Sequence, residues 1–195
     1  PFQLTSAQQR VIAEIESDMF SEYRMLRLLQ GDVGSGKTIV ALYTMLNAVE
    51  CGAQAAIMAP TEILAQQHYE TIAELCLQIG IKTALLTGNI KGKSRQQILD
   101  ALQNGEIDIL IGTHALFTED VTFKDLAYAV VDEQHRFGVK QRLSLSQKGK
   151  SCDVLVMTAT PIPRTLVLTQ FGDMDYSKID ELPAGRKPVT TTVMP

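Results

Sequence analysis

The sequence predicts an α/β domain with a mainly parallel sheet and helices on both of its faces. Short apolar runs alternate with segments of helical periodicity, as is typical of sheets wound from right-handed crossovers. These runs are apolar at consecutive positions, as expected of strands buried on both faces. The 195 residues suit a single domain, since a chain of this length buries about 70% of its unfolded surface without needing disulfides or metal ions.

The first predicted element is a helix. Thr5 to Gln8 fit a capping box, and Val11, Ile12, Ile15 and Met19 then recur on one helical face. Consecutive apolar residues predict strands at 25–29, 53–59, 83–87, 107–111, 127–131 and 154–158. The segments between them predict helices at 38–49, 63–79, 95–104, 141–147 and 164–171. After residue 180 the periodicity is lost and prolines accumulate, so we expect a domain at 1–178 and the start of a linker at 179–195.

Composition excludes several classes of protein. With 45% hydrophobic and 21% charged residues, the chain is neither disordered nor collagen-like. It has no apolar run long enough to cross a bilayer, so a membrane partner is not expected. Three scattered cysteines do not make a disulfide framework, which favours a cytoplasmic location. The net charge of −4 argues against a uniformly basic nucleic-acid coat but not against a local basic patch.

A phosphate-binding loop is the strongest motif. The segment Gly31-Asp32-Val33-Gly34-Ser35-Gly36-Lys37-Thr38 matches G-x-x-x-x-G-K-[ST] between a predicted strand and a predicted helix. Backbone N–H groups would bind phosphate oxygens, Lys37 would reach the β- and γ-phosphates, and Thr38 would offer a hydroxyl to Mg²⁺. The alternative, a glycine-rich turn followed by a coincidental Lys-Thr, does not explain this context. The motif therefore predicts a P-loop NTPase that uses ATP or a related nucleotide with Mg²⁺.

Two carboxylates follow the predicted strand at 127–131. Asp132 stands where P-loop enzymes place a carboxylate that organises Mg²⁺, and Glu133 could orient or deprotonate the attacking water. An acidic turn after a strand is the alternative, which the neighbouring phosphate loop makes less attractive. The pair favours nucleotide hydrolysis coupled to movement.

Several motifs resemble those of the DExH group of superfamily 2 helicases and translocases. They are the phosphate loop and the segments at 58–68, 111–116, 132–135 and 158–165. The segments at 91–95, 132–139 and 179–186 are similar to those of the RecG family of branch-migration helicases. The transcription-repair coupling translocases share most of these motifs, but they typically have Glu where this chain has Gln134. The resemblance covers essentially the whole chain, as the first RecA-like motor domain of such a protein.

The resemblance implies roles for individual residues. Phe2, Thr5 and Gln8 match a motif that recognises adenine, which the capping role of Gln8 does not exclude. His135, Thr158 and Thr160 would couple the nucleotide state to DNA, and His135 joins Lys37, Asp132 and Glu133 in the catalytic set. The expected DNA-binding positions are Thr61, Gln67, Gly88, Lys91, Lys93, Arg95, Thr113 and His114. A solvated charge run remains the alternative for Lys91, Lys93 and Arg95.

The resemblance also implies partners. Branched double-stranded DNA would be the substrate of a monomeric, nucleoid-associated enzyme acting in DNA repair and recombination by remodelling forks and Holliday-type junctions. A second RecA-like domain and an N-terminal wedge domain would belong to the same protein, and both ends of this chain look like cuts in a longer one. A nucleotide-gated protein-interaction switch is a further alternative. Without the second domain, we expect ATP hydrolysis to be negligible.

Overall fold

The computed structural model describes residues 3–132, 152–160 and 174–181. The described helices are α1 (Ser6–Met19), α2 (Lys37–Glu50), α3 (Glu62–Gln78) and α4 (Gly92–Asn104), with a short 3₁₀ helix at His114–Phe117. The described strands are β1 (Leu26–Gly31), β2 (Gln54–Met58), β3 (Thr83–Leu86), β4 (Ile109–Gly112), β5 (Leu126–Asp132), β6 (Asp153–Thr158) and β7 (Asp175–Ile179).

The strands form one sheet in the order β3-β4-β2-β5-β6-β1-β7. Every neighbouring pair among them is parallel. The register places Asp132 of β5 opposite Met157 of β6, and Met157 opposite Leu29 of β1. The carboxyl ends of β5, β6 and β1 are therefore nearly level.

Helices cover both faces, as the sequence predicts. One face packs against α1, α2 and α3, with Val11, Met45 and Ile72 fully buried there. The other face packs against α4 and the 3₁₀ helix, around Leu102 and Leu116. Successive strand residues alternate between the two cores, which is why the strands are apolar at consecutive positions.

The predicted elements agree with those described to within three residues at each end, for six strands and four helices. The predicted helices at 141–147 and 164–171 lie outside the described residues. The edge strand β7 was missed because its polar residues Asp175, Ser177 and Lys178 give no apolar run. It continues through Ile179, where the linker was expected to begin, and residues 182–195 are outside the described part.

Polar contacts fix α1 on the sheet beside β1 and β7. The buried Arg27 guanidinium of β1 contacts Asp18 at 2.6 Å and donates to Ser177 Oγ at 2.8 Å. Arg10 forms an ion pair with Asp180 at 3.0 Å, and Glu181 accepts a hydrogen bond from the Ala7 backbone N–H at 3.1 Å. The first turn of α1 is thus held to the residues that follow β7.

All three cysteines are free. Burial raises the pKa of the Cys76 thiol to about 11 and that of Cys152 to about 12, so both thiols are protonated at neutral pH. Within the described ranges, none of the helices has the length and apolar character needed to cross a bilayer.

Candidate nucleotide-binding site and nucleic-acid interface

The candidate site residues gather at one edge of the sheet, because all described strands end there. The phosphate loop follows β1, Asp132 ends β5 and Thr158 ends β6. The residues expected to bind DNA follow β2, β3 and β4 instead. In the strand order these two groups occupy adjacent halves of the edge. Open parallel sheets bind their ligands at this edge, so the fold brings the two predicted sites side by side.

The phosphate loop runs from the end of β1 into α2. Gly36 precedes α2 with φ +86°, and Gly34 has φ +80°, a backbone region that side chains with a Cβ rarely adopt. No side chain caps the first turn of α2. The Ile39 N–H donates to the Gly36 carbonyl at 3.0 Å, and the positive end of α2 faces the loop as in other phosphate-binding loops.

Two side chains of the loop fit a bound phosphate. Lys37 Nζ donates to the backbone carbonyls of Gly31 at 2.6 Å and Asp32 at 3.0 Å, which holds the ammonium group over the loop. The hydroxyl of Ser35 is buried and, among the described residues, is the one buried side-chain polar group lacking a hydrogen-bond partner. Such groups normally have a partner. A cation and an orphaned hydroxyl are donors that suit phosphate oxygens.

Gln8 connects α1 to the phosphate loop. Its Oε1 accepts a hydrogen bond from the Thr5 N–H at 3.0 Å, and Thr5 Oγ1 accepts one from the Gln8 N–H, which confirms the capping box. Its Nε2 donates to the Ser35 carbonyl at 2.9 Å. A Cβ at Gly36 would lie 2.3 Å from this Nε2. Gln8 thus packs against the loop itself, while its contact with adenine remains a prediction.

Asp132 lies at the end of β5 with its side chain 11% exposed. Its Oδ2 is 2.7 Å from Nε2 of His68, which projects from α3. Only β6 separates β5 from β1, a distance of about 10 Å at normal strand spacing. The half-buried Thr38 is in the first turn of α2, directly after the loop. A hydroxyl and a carboxylate are oxygen donors of the kind that Mg²⁺ takes.

Thr158 and Thr160 occupy the edge between the phosphate loop and Asp132. Thr158 is fully buried at the end of β6, where its Oγ1 accepts a hydrogen bond from the Thr160 N–H at 3.1 Å. Thr160 is exposed. Both therefore stand next to the predicted nucleotide site, and their coupling role stays a prediction.

The first half of α3 presents polar groups at the neighbouring part of the edge. Thr61 caps α3, accepting a hydrogen bond from the Leu64 N–H at 3.3 Å, and it is exposed. Gln67 is exposed on the same helix, and Gly88 is exposed in the loop after β3. The side chains of Glu62 and Asn89 form a hydrogen bond between this helix and that loop. These positions are accessible to a DNA strand.

The basic segment Lys91–Arg95 begins α4. Lys91 and Lys93 are exposed, with Lys91 at the N-cap. Arg95 instead forms an ion pair with Asp120 at 2.8 Å and donates to Thr118 at 3.2 Å. A hydrogen bond from Thr118 lowers the pKa of the Asp120 carboxyl most, and the Arg95 guanidinium lowers it further. Arg95 is thus engaged with a carboxylate of its own chain, whereas Lys91 and Lys93 face solvent.

Thr113 and His114 follow β4. His114 is exposed, whereas Thr113 is only 3% exposed and its Oγ1 accepts a bond from the Ala115 N–H at 3.5 Å, at the start of the 3₁₀ helix. The Thr113 side chain is therefore buried, and its hydroxyl caps the 3₁₀ helix. Phe2, Glu133 and His135 lie outside the described residues, so their predicted roles are untested.

Sequence analysis missed the contact of His68 with Asp132 and that of Gln8 with Ser35. His68 ends the helicase-like segment at 58–68, but no local pattern links it to a residue 64 positions away. A signal was present, however. Buried residues on α3 recur at Ala65, Ile72 and Cys76, and His68 falls between the first two on the same helical stripe. A polar residue in a buried stripe needs a polar partner.

Comparisons with known proteins agree with the resemblance in the sequence. The family model for DEAD/DEAH box helicases matches residues 5–168. The ATP-dependent DNA helicase RecG of Bacillus subtilis is 58% identical over 98% of this chain, and that of Haemophilus influenzae is 53% identical over 100%. The chain spans 28% and 29% of the lengths of these relatives.

A solved structure of a RecG protein supports the same family and fold. RecG bound to a three-way DNA junction superposes with a TM-score of 0.85 and 51% sequence identity, over 97% of this chain and 25% of that one. The RecA-like α/β fold and the similarity to RecG are thus confirmed across nearly all of the chain. The relatives contain far more sequence than this chain covers.

Proposed function

Because the chain belongs to the DEAD/DEAH box helicase family, we propose that it is the ATP-binding motor domain of an ATP-dependent DNA translocase. The translocase would act on double-stranded DNA and remodel replication forks and Holliday-type junctions in DNA repair and recombination. The observation that carries this proposal is that the residues predicted to bind phosphate and those predicted to bind DNA lie on adjacent halves of one sheet edge, the nucleotide half and the DNA half. In a motor the two sites have to be close together, because ATP hydrolysis at one site must alter how the other site binds DNA.

The nucleotide half would bind ATP through the phosphate loop. The N–H groups at the start of α2, the Lys37 ammonium and the Ser35 hydroxyl supply hydrogen bonds and positive charge to the phosphates. Gln8 would hold the loop from the side of α1 and contact adenine. Thr38 and Asp132 would hold Mg²⁺, which neutralises charge on the phosphate oxygens when it is bound. Glu133 would orient the attacking water.

The DNA half would contact the sugar-phosphate backbone. Thr61, Gln67 and Gly88 present small polar or backbone groups, while Lys91 and Lys93 present charge at an exposed helix start. Such contacts hold DNA without reading its sequence, as is appropriate for a motor that moves along any duplex. His114 is also exposed beside this surface.

The other functions of the translocase would belong to other domains of the full-length protein. A second RecA-like domain would close the ATP cleft, and a wedge domain would split the branched DNA, within a protein that acts as a monomer. The similarity of this chain to RecG bound to a three-way DNA junction supports branched DNA as the substrate. We infer a cytoplasmic, nucleoid-associated location because that is where such DNA is found.

The test is DNA-stimulated ATP hydrolysis by the full-length protein on a synthetic three-way junction. Lys37→Ala should abolish hydrolysis because it removes charge that compensates the phosphates. Glu133→Gln should keep ATP binding and lose turnover. Hydrolysis that is indifferent to DNA would contradict a motor and favour a nucleotide-gated protein-interaction switch, and activity of Lys37→Ala equal to wild type would contradict the phosphate-loop assignment.

A further inference from the structure

One contact at the candidate site is not explained by the phosphate loop or by the acidic motif. Nε2 of His68 lies 2.7 Å from Oδ2 of Asp132, and the two side chains are only 12% and 11% exposed. This distance is typical of a hydrogen bond to a charged group. Since an ionised carboxylate only accepts, Nε2 carries the hydrogen of this bond.

The helix geometry explains why His68 reaches the carboxylate. Ala65 and Ile72 are fully buried on the face of α3 that packs against the sheet. His68 is three residues after the one and four before the other, so it shares their face. Its neighbour Gln67 is exposed. The α3 helix therefore carries an outward amide for the DNA half and, one residue later, an inward imidazole for Asp132.

We propose that His68 is a positioning residue that fixes the orientation of the Asp132 carboxylate for the divalent ion that accompanies ATP. This inference rests on the proposed function, because it assigns to Asp132 the role of organising that ion. A carboxylate can rotate about its terminal bond, and one hydrogen bond from a packed ring removes that freedom. Partners that orient ligating carboxylates typically change metal affinity by about 10–100-fold when they are removed.

A purely structural role for His68 makes a different prediction. If the ring only joined α3 to β5, its loss would weaken folding and all nucleotide binding alike, with or without metal. If it orients Asp132, its loss should act on the metal-dependent part of binding alone. Replacement by a side chain that still donates from the same position should then restore the effect.

The experiment uses the full-length protein with Mn²⁺ as the probe, and it needs no hydrolysis. Electron paramagnetic resonance measures Mn²⁺ affinity at a saturating concentration of a non-hydrolysable ATP analogue. A fluorescent ATP analogue in EDTA measures affinity without metal. The variants are His68→Leu, which removes the donor, and His68→Gln, whose amide nitrogen reaches about as far as Nε2. Glu74→Ala, at an exposed position of the same helix, is the matched control.

We expect His68→Leu to weaken Mn²⁺ binding by about tenfold and to leave the metal-free nucleotide affinity unchanged. His68→Gln should recover most of the loss, and Glu74→Ala should match wild type. Unaltered Mn²⁺ affinity in His68→Leu would overturn the inference, as would equal losses with and without metal that His68→Gln does not relieve. A wild-type protein that binds no nucleotide at all would overturn the proposed function, and this inference with it.

Discussion

Gln8 shows how a single amide can belong to a helix and to a binding loop at once. Its carbonyl oxygen completes the capping box with Thr5, and its amide nitrogen holds the carbonyl of Ser35. Ser35 is also the residue whose buried hydroxyl lacks a partner among the described residues. The side chain therefore sets the position of α1 relative to the part of the loop that suits phosphate oxygens. Its effect on nucleotide binding should exceed that of an ordinary helix cap.

The first prediction concerns this residue. Gln8→Ala should weaken ATP binding by about tenfold, because one buried hydrogen bond to the loop contributes about 1–1.5 kcal/mol. Titration with a fluorescent ATP analogue measures the affinity, and thermal unfolding measures the stability. Gln9→Ala is the control, since the Gln9 amide makes only a 3.5 Å contact to Leu4 on the exposed side of α1. If Gln8→Ala lost stability but kept its affinity for the ATP analogue, Gln8 would act only in the capping box of α1.

Individual site residues were predictable where their role follows from a short sequence motif or from their position after a predicted strand. Lys37 and Thr38 follow from the loop motif, and Asp132 follows from its place after a buried strand. The contact between His68 and Asp132 did not follow, because it depends on which helix crosses which strand end. Thr113 shows the opposite case. Its position in the segment at 111–116 predicts contact with DNA, which stays a prediction, whereas its buried side chain caps the 3₁₀ helix after β4, a contact that the motif does not indicate.

At the scale of elements, the DNA half depends on the close pairing of β3 and β4. Gly112 ends β4, where a Cβ would lie 2.1 Å from the Leu86 carbonyl oxygen and 2.8 Å from Leu116 Cδ2. The first of these atoms is backbone and cannot rotate away. This glycine thus allows the loop that carries His114 to leave the sheet directly beside the loop that carries Gly88.

The second prediction follows from this packing. Gly112→Ala should lower the free energy of unfolding by about 3 kcal/mol, at the upper end of typical overpacking effects. Urea denaturation followed by circular dichroism measures the change. Gly88→Ala is the control, since its nearest neighbour would be Glu62 Oε1 at 3.5 Å, and it should stay within about 0.5 kcal/mol of wild type. Equal stabilities for the two variants would contradict the role assigned to Gly112.

Elements were predictable to the extent that burial on both faces leaves a continuous apolar run. All strands between β1 and β6 have such a run, and the loop positions follow from them. The edge strand β7 has none, because Asp175 and Lys178 are exposed and polar residues interrupt its buried positions. Its place in the sheet comes instead from long-range contacts, such as that of Ser177 with Arg27. These contacts join residues 150 positions apart and have no local signature.

At the scale of the whole molecule, the proposed function places the ATP-binding and DNA-binding residues on one sheet and a second wall of the ATP site in another domain. The phosphate loop, Gln8 and Asp132 all belong to this sheet and its helices. Among the described arginines, Arg10, Arg27 and Arg95 each contact a carboxylate of the same chain. Independently of these contacts, the family resemblance implies that the positive charge that stabilises the transition state of phosphoryl transfer comes from a second domain.

The third prediction separates binding from turnover on this basis. The 195-residue chain alone should bind ATP through the phosphate loop, yet hydrolyse it about 10³–10⁵ times more slowly than the full-length protein, since that is the usual contribution of an arginine supplied by a partner. Phosphate release on a three-way junction gives the rate, and a fluorescent ATP analogue gives the affinity. Lys37→Ala in both proteins sets the background of each assay. A turnover within tenfold of the full-length value would mean that this sheet edge contains a complete catalytic site, and the proposed division of the ATP cleft between two domains would be wrong.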